Sequence, residues 1–82
     1  IMNSMDKYEE LKDVLEHLAG LSPESIIYDH HLNEISFHPY TQDQADLIIL
    51  YLRDYVTQYT MCFYGDGYSF IIKPSDIKDS IL

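Results

Sequence analysis

Asp29-His30-His31, with His38 seven positions further on, is where this chain gathers side chains able to ligate metal. Imidazole and carboxylate suit zinc, and a hairpin could bring His38 near His30. Adjacent histidines in a strand point to opposite faces, however, and no fourth ligand follows at a diagnostic spacing. The cluster therefore reads as polar hairpin residues. Cys62 is the single cysteine; it lacks a basic neighbour to activate it and can form no internal disulfide. No glycine-rich phosphate loop, nucleophile elbow or zinc-protease helix is present. No catalytic, cofactor-binding or metal-ligating residue is assigned, and the chain reads as a non-enzyme.

Carboxylates are the other chemistry on offer. At about 100° per residue, Asp6, Glu9, Glu10, Asp13 and Glu16 fall within roughly one third of a helix circumference. Lys12 borders that face and Lys7 lies beyond it, so neutralisation is partial. Asp6 with Glu10 and Glu9 with Asp13 are like charges four apart, each costing a few tenths of a kcal/mol, ~0.2–0.5. Such a face is either simply solvated or a surface for a cationic partner.

The whole chain leans the same way. Fourteen acidic residues against five basic ones leave a formal charge of -9 over 82 residues. That disfavours direct binding to nucleic acid or to an anionic membrane, both of which require a basic footprint. With 46% hydrophobic residues in clear periodicity, one folded domain is expected. Residues 1–4 read as an expression remnant or disordered lead-in, and 5–82 as a single α+β domain. No membrane span and no basic-then-apolar leader is recognisable, and a single cysteine suits the cytoplasm.

These groups need elements to hold them. The central one is Thr41 to Tyr59, where Ala45, Ile48, Ile49, Leu52, Tyr55, Val56 and Tyr59 recur on one helical face. Thr41 and Gln44 form a capping box, and Pro39 disfavours an earlier start. An earlier helix spans Met5 to Ala19, with Tyr8, Leu11, Val14, Leu15 and Leu18 as its stripe and Gly20 ending it. Two strands, Ile26 to Tyr28 and Ile35 to Phe37, flank a turn at 29–33. The first is apolar throughout, so its inward residues stay open. A second hairpin turns at Asp66-Gly67, a favoured pair for a tight primed turn. That register pairs Tyr64 with Ser69, Phe63 with Phe70 and Met61 with Ile72, placing Met61, Phe63, Phe70 and Ile72 in the core. Pro74 ends the sheet, and Ser75 caps a last short helix carrying Ile77 and Ile81. The fold expected is α+β: one four-stranded antiparallel sheet, two helices on one face and a short C-terminal helix.

Two readings of function follow. Eight tyrosines are present; Tyr8, Tyr55 and Tyr59 fit the core, while Tyr28, Tyr40, Tyr51, Tyr64 and Tyr68 have exposed placements suited to contact surfaces. In size, charge and tyrosine content the chain resembles phage-encoded inhibitors of host nucleases, including anti-CRISPR and anti-restriction proteins. That resemblance implies an acidic decoy in the host cytoplasm, occupying a basic nucleic-acid-binding surface of a host enzyme. No residues carry over from it; the contact set read from the helices would be Asp6, Glu9, Glu10, Asp13 and Glu16, supported by Asp43, Asp46 and Asp54, and Tyr64 and Tyr68 are further candidate contact residues. The second reading is a non-enzymatic interaction module, a homodimer or an accessory or immunity subunit. It would use the open sheet face or the back of the central helix, where Leu47, Leu50 and Tyr51 lie outside the main stripe.

Overall fold

The computed structural model describes residues 3–65 and 67–79, apart from the Tyr64 side chain. Helix α1 spans Ser4–Leu18, one residue earlier at each end than the spacing predicts. Asn3 sets its start: Oδ1 accepts the Asp6 amide at 2.9 Å. It ends where Gly20 turns left-handed at φ +71°, a conformation glycine adopts without a Cβ penalty. Leu11 and Leu15 are buried and Tyr8 and Val14 half-buried, as the stripe requires. Leu18 departs from it: at the end of the helix Leu15, Ala19 and Leu21 take the inner places and Leu18 is left exposed.

Strands β1 (Ile26–Asp29) and β2 (Glu34–Phe37) form the first hairpin. Its turn is held by Asp29, whose Oδ1 accepts the amides of His31 at 2.9 Å and Leu32 at 3.1 Å. The inward residues of β1 are Ile26 and Tyr28, since they pair with Phe37 and Ile35. Ile27 points away from the helices and is exposed.

Helix α2 spans Gln42–Tyr55. The capping box is present: Thr41 Oγ1 accepts the Gln44 amide at 3.1 Å, and Gln44 Oε1 accepts the Thr41 amide at 3.3 Å. Gln44 Nε2 also donates to the Gly20 carbonyl at 3.4 Å, joining the start of α2 to the end of α1. Thr41→Ala should cost about 1 kcal/mol, seen as a lower urea midpoint with an unchanged slope.

The helix stops four residues short of Tyr59. Val56 turns extended and bridges Ile77, while the Thr57 amide donates to the Asp76 carbonyl at 2.8 Å. Val56 stays buried, and Tyr59 packs its ring 5.9 Å from Phe70, so both serve the core from extended backbone. Apolar spacing is the same in either conformation over so few residues.

Strands β3 (Thr60–Tyr64) and β4 (Gly67–Ile72) complete one antiparallel sheet in the order β1-β2-β4-β3. The second hairpin is offset from the expected register. Tyr64 pairs with Gly67, Phe63 with Tyr68 and Met61 with Phe70. Gly65, at φ +46°, takes the left-handed turn position, so the turn begins one residue earlier than an Asp66-Gly67 turn; Asp66 lies outside the described residues. Gly65 competes with Asp-Gly as a turn signal, and the register follows Gly65.

Both helices pack on one face of the sheet. Leu11, Leu15, Ile48 and Leu52 meet Ile26, Ile35, Phe37, Phe70 and Ile72, with the Phe37 and Phe70 rings stacked 5.3 Å apart. Met61 and Phe63 share this face yet remain 46% and 69% exposed. They sit on β3, an edge strand whose helix-side residues stay exposed, which is why face parity alone misassigns them to the core.

In place of a short C-terminal helix there is a single 3-10 turn, Pro74–Asp76. Its backbone is committed to the end of α2: the Lys78 amide donates to the Tyr55 carbonyl at 2.9 Å. Lys7 of α1 closes the seam by donating to the Ile77 carbonyl at 2.9 Å and pairing with Asp79 at 3.3 Å. Ile81 lies outside the described residues.

Candidate functional site

The two helices turn their apolar stripes toward the same sheet face, so their opposite sides look outward in one direction. On α1 that outer side carries Asp6, Glu9, Glu10 and Asp13, all exposed, and Glu16, half-buried. On α2 it carries Asp43, Asp46 and Asp54, all exposed, with Leu47 (42%) and Leu50 (57%) between them. The outer surface of the helix layer is therefore a roof of eight carboxylates with two exposed leucines in its α2 half. The leucines are not sandwiched within the domain.

The roof meets little internal cancellation. Among the described residues, two ion pairs form: Lys7 with Asp79, away from the roof, and His17 with Asp13 at 3.3 Å. Lys12 turns its ammonium over the Tyr8 ring, 5.9 Å from the centroid. His17 adds a pH-dependent charge. Its Nδ1 donates to the Asp13 carbonyl at 2.7 Å, and that bond, with the Asp13 and Glu16 charges, raises its pKa above 6.5. Acidification through that raised pKa places one positive charge among the carboxylates.

Tyr51 joins the two halves. It is half-buried on the α1-facing flank of α2 and stacks on Tyr55 at 4.2 Å. Burial, then the Glu10 carboxylate, then Tyr55 push its pKa up to about 12 from 10.0. The folded chain thus keeps this proton where the unfolded chain has lost it. The stability from neutral Tyr51 is complete below pH 10 and drains away as pH rises toward about 12. Tyr51→Phe should flatten that alkaline loss, read as a smaller fall in urea midpoint between about pH 9 and about pH 11.

The remaining candidates lie elsewhere. Tyr68 is half-buried on the helix-covered sheet face, and its hydroxyl donates to Gln42 Oε1 at 2.7 Å. It borders the flank of α2 nearest β3 and stays off the roof. The Tyr64 side chain lies outside the described residues. His30 stacks on Tyr28 at 4.5 Å, while His31 and His38 are exposed. Cys62 is half-buried on the open sheet face.

That open face carries a depression of about 230 Å³ between Glu34, Gln58, Ile71, Lys73 and Asp76. Gln58 Nε2 already donates to Asp76 Oδ1 at 3.2 Å, and among the described residues no buried side-chain polar atom lacks a partner. Nothing there pairs a nucleophile with a base. Among the described residues, no helix is long and apolar enough to cross a membrane.

Sequence reasoning missed two surface residues, Met61 and Phe63. Alternation along β3 gives their face correctly, but only the strand order tells which strand lies outermost. No protein-family model, curated protein or solved structure matches the chain.

Proposed function

We propose that this chain is an acidic inhibitor that occupies a basic nucleic-acid-binding surface of a nuclease or similar enzyme by charge mimicry. The role is that of the phage-encoded anti-CRISPR or anti-restriction proteins, exercised in the cytoplasm of the host cell. The observation that carries this reading is the one-sided roof of eight carboxylates, left without lysine or arginine partners among the described residues. Its spacing suits the task. From Asp6 to Glu16 α1 rises ~15 Å, ten residues at ~1.5 Å each, so along the helix axis the five carboxylates are spaced about 3.8 Å apart on average. Phosphates along one strand of duplex DNA recur every ~3.4 Å, so α1 offers a cationic groove roughly one strand's charge density. Arginine and lysine would meet these carboxylates through the charge-assisted contacts they make to phosphate. The test is the salt dependence of partner affinity, which should fall steeply as ionic strength rises.

The exposed leucines support a second reading, an interaction module docking through the back of α2. Contact centred on Leu47 and Leu50 would bury apolar surface and hold its affinity in salt. Salt response and Leu50→Asp therefore separate the two: the apolar mode loses to the substitution, the charge mode to the salt.

A further inference from the structure

The outer edge of the sheet at β3 is unusual for a strand in a soluble chain. Among the described residues β3 pairs with β4 alone, so its other side presents free backbone donors and acceptors. Edges of this kind are ordinarily blunted by lysine, proline, a bulge or shortness. Thr60–Tyr64 is five residues long in unbroken register and contains neither proline nor charge. The run from Tyr55 to Gly65 is the longest charge-free stretch of the chain, eleven residues. Phe63, beside that edge, is the most exposed large apolar residue described, with Met61 next to it on the same face.

We propose that β3 pairs antiparallel with β3 of a second copy, extending the four-stranded sheet into a continuous eight-stranded one. Charge selects this occupant. Each copy carries -9, so two copies repel wherever their acidic surfaces approach. Thr60–Tyr64 itself carries no carboxylate, so two β3 strands can pair without like charge inside the paired run. A cationic segment gains no attraction from this uncharged strand and would be drawn to the roof instead. Shape agrees with charge. Pairing centred on Cys62 sets Met61 opposite Phe63 of the second copy, and the reverse, on the same sheet face. Each exposed apolar side chain then covers the other, with sulfur against the aromatic ring. The two-fold axis stands normal to the sheet, so all four helices share one side and both acidic roofs stay free. This inference stands apart from the inhibitor reading and survives its failure.

The test is sedimentation of the wild-type chain in reductant, from low to high micromolar, at low and high salt. A monomer–dimer equilibrium is expected, strengthened by salt as the mutual repulsion is screened. Phe63→Lys, on a side chain the fold leaves exposed, should weaken dimerisation by at least about tenfold. Amide exchange within Thr60–Tyr64 should slow as the dimer forms. A chain that stays monomeric under every condition overturns the proposal. So does a dimer indifferent to Phe63→Lys, or one that gains protection along the outer side of α2 instead.

Discussion

Glu9→Lys, Glu10→Lys and Asp13→Lys together should abolish binding to the cationic partner proposed for this face, with affinity falling by at least about 100-fold. Each reversal moves the charge by two, taking the chain from -9 to -3, and all three lie on the exposed outer side of α1. A carboxylate that formed a charge-assisted bond to arginine then becomes a repelling ammonium. Folding should be untouched, because substitutions at exposed helix positions ordinarily stay within about 0.5 kcal/mol. Titration calorimetry of the variant against the partner, beside its circular dichroism spectrum, checks both halves. Leu50→Asp in the same assay should leave a charge-driven complex intact.

Phe37→Ala should remove most of the stability of the domain. Phe37 is fully buried on a central strand and stacks on Phe70 across β2 and β4. Truncating such a residue costs about 3–5 kcal/mol, through lost transfer energy and the cavity left behind. A small domain holds only ~5–15 kcal/mol in total, so the variant should unfold at a much lower urea concentration. Phe63→Ala, on the same face but exposed, should cost the monomer only about 1 kcal/mol or less, its edge-on contact with the Tyr68 ring included. The contrast measures how far α2 covers the sheet, since alternation alone places both phenylalanines inside.

What could be read from the chain was what neighbouring residues decide between themselves. The Thr41–Gln44 box, the glycine ending α1 and the turn after Asp29 are local exchanges of hydrogen bonds, and each stands where its residues imply. The outward placement of the carboxylates followed from periodicity around Leu11 and Leu15. What the chain concealed depends on distant partners. Val56 leaves the helix because Ile77 and Asp76, some twenty residues on, take up its extended backbone and that of Thr57. Turn signals at Gly65 and at Asp66-Gly67 compete within three residues, and the pairing of Met61 with Phe70 departs from the register that the second would set. The exposure of Met61 and Phe63 required the strand order, which no local pattern encodes.

The most direct measurement is capture from host lysate on the immobilised chain, with release by salt and by excess duplex DNA, beside the triple lysine variant. The wild-type chain should retain a nucleic-acid-binding enzyme that both salt and DNA displace, and the variant should retain none of it. Equal retention on the variant, or a captured protein that holds on in the presence of DNA, would contradict the account.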